Sequence, residues 1–208
     1  MIDSVPAAAL AGLLAGLVHA LSGPDHLSAV APLVVSGRES RRSWMTGLLW
    51  GTGHGLGVFA VGGLALLLRG VLPVERLSSW SERMVGAVLI AVGLWGLRRA
   101  YGARLGAHGH VHAPSGRPRA ALWVGTLHGL AGSSHILGLF PAFALARAAS
   151  IAYVGGFGVG AVAAMVGFSS VLGVAAVRLS AHGGRGYQAL LAGCSAASIV
   201  LGGFWLMS

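Results

Sequence analysis

Charge is scarce in this chain. Only 9% of its 208 residues are charged, and five of them are acids. Soluble domains carry nearer a quarter of charged residues. With 55% hydrophobic residues in long runs, the composition excludes an ordinary soluble domain and points to membrane-spanning helices. Cysteine is scarcer still, with Cys194 alone. A single thiol forms no intramolecular disulfide and no Cys-x-x-Cys pair, which excludes a membrane thiol–disulfide carrier. The N-terminus lacks a basic stretch and carries Asp3, so it does not read as a cleaved signal peptide. The formal charge is +9, but the arginines lie between apolar runs. There they set membrane orientation, so no nucleic-acid partner is expected.

What is there is a set of six apolar spans, at about residues 6–35, 44–68, 84–101, 120–146, 150–177 and 187–207. The gaps hold nearly every charge, with Arg147 at the turn between the fourth and fifth spans. Gaps one, three and five hold Arg38, Arg41, Arg42, Arg98, Arg99, Arg104, Arg117, Arg119, Arg178 and Arg185. The opposite side holds only Arg69, Arg76, Arg83 and Arg147. The positive-inside bias therefore predicts cytoplasmic odd gaps and both termini outside. The expected location is the cell (inner or plasma) membrane, multi-pass.

An internal repeat runs through the spans. "HALSGPDHLSAVAP" (19–32) aligns without a gap on "HGLAGSSHILGLFP" (128–141), at an offset of 109. His19 meets His128, Gly23 meets Gly132, His26 meets His135 and Pro32 meets Pro141. The third and sixth spans, "IAVGLWGL" (90–97) and "IVLGGFWL" (199–206), agree at the same offset. Three spans per copy is an odd number, so the second copy enters the membrane from the opposite side. The expected fold is an all-α polytopic membrane protein with six transmembrane helices in a 3+3 inverted-topology repeat, as in many transporters. The first and fourth helices are expected to be broken. Residues 1–101 form the first three-helix half, 102–119 a His-containing cytoplasmic loop, and 120–208 the second half.

The chemistry gathers at the first repeated element. In a straight helix His19 and His26 would lie about 10.5 Å apart along the axis. Gly23-Pro24 breaks that helix, because proline removes a backbone donor and clashes with the preceding turn. Pro24 suits the first turn of a new half-helix capped by Ser22 or Gly23, where Asp25 meets the positive end of the helix dipole. Asp25 is the one acid well inside a span, which marks a functional position by default. His54, in "GTGHGLG" (51–57), is surrounded by glycines that allow close helix approach. Its bland alternative is a hydrogen-bonded histidine in a packed interface. His19, Asp25, His26 and His54 form the candidate metal site. His128 and His135, with Ser133 and Ser134 replacing Pro24-Asp25, are candidates for a weaker secondary site or pathway. His108, His110 and His112 in "AHGHVHAP" are candidates for metal capture in the loop, against a merely solvated basic loop. His182 reads as a plain loop residue.

Imidazole with a single carboxylate suits Ni, Cu, Zn, Fe or Co, whereas Mg or Ca would need more oxygen donors. A tetragonal Ni(II) site of N and O donors fits, and the donor set leaves Zn(II) and Co(II) open. At "HALSGPDHLSAVAPL" the sequence resembles the nickel/cobalt transporter superfamily, in its shorter UreH-like and NicO-type branch. "GTGHGLG" and "HGLAGSSH" are similar to that family too. The resemblance implies a Ni(II) or Co(II) permease with its selectivity site at His19, Asp25 and His26. Five residues, Ala20 to Pro24, separate His19 from Asp25, one more than in the best-known permeases.

The sequence therefore predicts a transporter of divalent transition metal rather than an enzyme. The metal is cargo, and no cofactor is required. Expected partners are the ion, the bilayer, a second copy of the chain or a cytoplasmic metallochaperone. Histidine protonation offers a route to proton coupling. Two alternatives remain: an exporter of a small anion such as sulfite, which Asp25 disfavours, and an accessory subunit of a metal importer. A metalloenzyme would need a general base beyond the ligands, and the spans hold no second acid.

Overall fold

The computed structural model describes residues 4–36, 40–67, 74–102, 117–130, 138–182 and 184–207. Every regular element among them is helical: α1 (Val5–Ser22), α2 (Pro24–Val35), α3 (Ser40–Leu67), α4 (Val74–Gly102), α5 (Arg117–Leu130), a 3-10 turn (Phe140–Ala144), α6 (Arg147–Ala181) and α7 (Arg185–Met207). Among the described residues, four stretches are long and apolar enough to cross a membrane: Val5–Ser22, Glu82–Gly102, Arg147–Ala181 and Arg185–Met207. Their outward faces carry large apolar side chains such as Leu10, Leu14, Val18, Val171, Val200 and Phe204. In water such a surface would be an aggregation liability. Against lipid tails it is matched, and a helix satisfies its own backbone there.

The pairing of helices is set by glycine. α1 packs along α6, α3 along α5, and α4 along α7. On the first seam a Cβ at Gly12, Gly16, Gly156 or Gly160 would run into the facing backbone, and on the second the same holds for Gly53, Gly57, Gly125 and Gly129. Lipid supplies little hydrophobic drive for helix association, so close van der Waals approach carries it. Trp50, Leu89, Met165, Val30 and Val34 fill the space between the seams.

The short helix α2 lies inside this frame, against α7, α6 and α4. Pro32 sits within it and has no N–H for the carbonyl of Ser28. That carbonyl instead accepts from the Ser198 hydroxyl of α7 at 2.6 Å; the same hydroxyl lies 3.0 Å from the Cys194 carbonyl. Ser28 and Ser198 are both buried, so the bond replaces one the helix cannot make. Other hydroxyls in the apolar interior turn back on their own helix, Ser195 to Leu191 at 2.7 Å and Thr126 to Leu122 at 2.9 Å, as expected where no water competes.

Arg147 does not form the turn after the fourth span. It opens α6, after Ala146 in extended backbone. His182 caps the other end of α6, where its Nδ1 lies 2.8 Å from the Arg178 carbonyl oxygen.

Candidate metal centre

The expected break is at Gly23. α1 ends at Ser22 and α2 begins at Pro24, with Gly23 between them at φ −82°, ψ 101°. Any residue adopts those angles, so the glycine is needed for space. A Cβ there would land on the Nδ1 atom of His26 and 3.0 Å from Oδ1 of Asp25. Pro24 starts α2 where its missing N–H is one of the free donors of a first turn. Gly23 offers no side-chain cap, and Asp25 is the acid of that turn, where the dipole favours a carboxylate.

The bend folds the sequence back on itself. His19, in the last turn of α1, and His26, in the first turn of α2, have ring centroids 4.9 Å apart. A straight helix would hold them at roughly twice that distance. From α3, His54 comes within 4.8 Å of His26 and 6.1 Å of His19, centroid to centroid. From α5, His128 lies 4.9 Å from His26, and its Nε2 is 3.1 Å from Oδ2 of Asp25. With Asp25 ionised, that Nε2–H donates to the carboxylate. His26 Nδ1 is 3.8 Å from the other oxygen of Asp25.

Two sets of donors result. One ligand atom each from His19, His26 and His54 lie within 4.8 Å of one another, and so do one each from Asp25, His26 and His128. His26 belongs to both sets. His26, His54 and His128 are buried, while the Asp25 side chain keeps 13% exposure. Imidazole nitrogen with one carboxylate oxygen is the donor mixture of borderline transition metals. Among the described residues no thiol joins either set.

Aromatic walls close the cluster. Trp50 precedes His54 by four residues, so both project from one face of α3. Their rings stack at 5.2 Å and 7°. Trp50 is fully buried, and its Nε1 has no hydrogen-bond partner among the described residues. Phe157 of α6 lies 5.2 Å from the His19 ring. Trp50 also lies within 5.7 Å of the His26 ring and 5.5 Å of the His128 ring, centroid to centroid. Neither aromatic stands out in the sequence as a site residue. The four-residue spacing was a usable signal for Trp50, whereas Phe157 needs the α1–α6 packing.

The structure thus brings His19, Asp25, His26 and His54 together, and adds His128 to them directly. His135, Ser133 and Ser134, and the loop histidines His108, His110 and His112, lie outside the described residues.

Three known proteins resemble this chain. Urease accessory protein UreH of Bacillus sp. (strain TB-90) is 27% identical over 175 residues, 78% of this chain and 75% of that protein. Chloroplast proteins FOR GROWTH AND FERTILITY 1 and 2 of Arabidopsis thaliana are 47% and 45% identical over 89 residues, 43% of this chain. The matched segment spans about a quarter (24%) of each chloroplast protein's length. None of the three is named as an enzyme. No family model and no solved structure matches the chain. Over most of its length the chain is a distant homologue of a urease accessory protein.

Proposed function

We propose that this chain carries a divalent transition-metal ion, Ni(II) or Co(II), across a cell membrane. The observation that carries the reading is the meeting of His19, Asp25, His26, His54 and His128 from four helices at one backbone break. Ionisable groups in so apolar a chain are costly unless used, and five in contact are a functional arrangement. The distant similarity to urease accessory protein UreH over most of the chain agrees with a membrane role in metal transport.

The pairing of helices supports two inverted halves, 1–101 and 120–208, joined by the loop 102–119. A Cβ at Gly16 would meet the Phe157 carbonyl, and one at Gly125 the Trp50 carbonyl. Gly160 faces the Leu13 carbonyl, and Gly53 the Leu122 carbonyl. These contacts exchange under an offset of 109 for α1 and α5, and 107 for α3 and α6. Gly86 against Gly202 and Gly93 against Ser195 exchange at 109. An approximate two-fold axis relates such contacts. Six crossings in this arrangement put both termini on one side, which the arginine bias of the gaps makes the outside, with the centre where the halves meet. The halves move against each other about the bound ion, exposing it to either side.

Each residue has a role in this reading. His19, His26 and His54 supply nitrogen, Asp25 supplies charge, and His128 brings in the second half. His135, Ser133 and Ser134 continue the pathway, and His108, His110 and His112 collect ions at the cytoplasmic loop. A metallochaperone or a second copy of the chain is a fitting partner. A second reading is an accessory subunit of a larger importer, favoured by the name of the Bacillus relative.

Metal flux into liposomes holding this chain alone tests both. Wild type is expected to move Ni(II), and Asp25→Asn and His26→Ala are expected to lose most of that flux. Unchanged flux in both variants would sink the site assignment. No flux from a folded lone chain that still binds nickel would favour the accessory reading.

A further inference from the structure

The donor atoms fall into two triads hinged on one ring, and this pattern carries a step within transport. We infer that the ion occupies two alternative positions that share His26: one among His19, His26 and His54, the other among Asp25, His26 and His128. The inference rests on the metal-transport reading and adds to it an internal hand-off.

The geometry favours two positions over a single five-ligand site. Ligand atoms within 4.8 Å of one another form two separate triads that include His26 each time. His19 comes from α1, with His54 of α3 beside it. Asp25 comes from α2, with His128 of α5 beside it. His26 lies between, with ring centroids 4.9, 4.8 and 4.9 Å from His19, His54 and His128. An imidazole has two ligating nitrogens, flanking one ring carbon with diverging lone pairs, and His26 Nδ1 is on the Asp25 side, 3.8 Å from its carboxylate. Two divalent ions this close, in a buried setting, would repel strongly. Occupation is therefore one ion at a time.

The two positions differ in chemistry. The first offers three imidazoles and no charge. The second exchanges two imidazoles for a carboxylate and a histidine from the other half of the chain. Transfer is a ligand exchange: bonds to His19 and His54 break as bonds to Asp25 and His128 form, and His26 passes the ion from one ring nitrogen to the other while its single ring proton crosses the opposite way. His128 must free the Nε2 it shares with Asp25. Its proton moves to Nδ1 of the same ring, which stays neutral, so the exchange balances with no external proton. The second position ties α2 to α5 through the metal in place of a hydrogen bond. Movement of the ion is thereby linked to the contact between the halves.

Co(II) binding to the purified full-length chain in detergent tests the hand-off, since cobalt's visible absorption reports its ligands. His19→Gln keeps only the Asp25 position intact, and Asp25→Asn only the imidazole position. Each variant is expected to bind one Co(II), with visible spectra that differ from each other. His26→Gln is expected to lose binding, and wild type to bind one ion per chain. Far-UV circular dichroism and gel-filtration profiles matching wild type establish that each variant is folded. Loss of binding in folded His19→Gln and Asp25→Asn alike, identical spectra from the two, or two ions per wild-type chain would overturn the hand-off. Such results would leave metal transport standing. Absence of Co(II) and Ni(II) binding by wild type would overturn the transport reading itself and the hand-off with it.

Discussion

At the scale of the residue, Gly23 is the hinge of the account. It adopts backbone angles open to any amino acid, yet a methyl group there would strike the Nδ1 edge of His26. Gly23→Ala is therefore expected to weaken Ni(II) affinity by about tenfold or more, ~1.4 kcal/mol, with the helical fold retained. Gly55 is the control. It follows His54 in α3, and a Cβ there meets nothing within 4 Å. Gly55→Ala is expected to stabilise the helix by up to about 1 kcal/mol and leave affinity unchanged. Titration of both variants with Ni(II), beside thermal unfolding, checks the pair; equal affinity in Gly23→Ala and wild type would contradict the hinge. Much of this site was legible in the sequence. His19, Asp25 and His26 stand out because ionisable groups are rare in apolar spans, and Gly23-Pro24 signals the break that lets them meet. His128 was marked by its alignment with His19. Its bond to Asp25 was not, because that contact joins residues 103 positions apart.

At the scale of the element, α2 shows how a defect within one helix is repaired by another. Pro32 leaves the Ser28 carbonyl without its helical donor, and Ser198 supplies one from α7. Ser198→Ala is expected to destabilise the chain by about 1 kcal/mol, the cost of a buried acceptor left unmade. Pro32→Ala restores a backbone N–H to that carbonyl, so Ser198→Ala should cost much less in its presence. A double-mutant cycle on unfolding in detergent measures the coupling, and simple additivity would contradict the repair. The sequence marks Pro32 as a problem for its helix but not its remedy, which comes from a serine 170 positions from Ser28. Helix partners were equally hidden. Small residues mark α1, α3, α5 and α6 as close-packing, but any of them fits any other by that criterion. Only the three-dimensional arrangement assigns α1 to α6 and α3 to α5.

At the scale of the whole molecule, the lipid-facing surface and the polar centre are two sides of one design. Leu14, Val18, Val171 and Val200 face outward, while His26, His54 and His128 are buried where α1, α2, α3 and α5 meet. In the proposed two-half arrangement the packing repeats but the chemistry does not. Asp25 is matched by Ser134 in the aligned repeat, and His54 by no ionisable group in "GVGAVAAMVGFSS". For the proposed transport role, one centre carrying the charge suits a carrier better than two equal sites would. The measurement that tests this most directly is nickel anomalous-scattering density from crystals of the full chain grown with Ni(II). A peak is expected within ligand distance of His26, shared with His19 and His54 or with Asp25 and His128. A nickel peak elsewhere in the helices with none at His26 would contradict it.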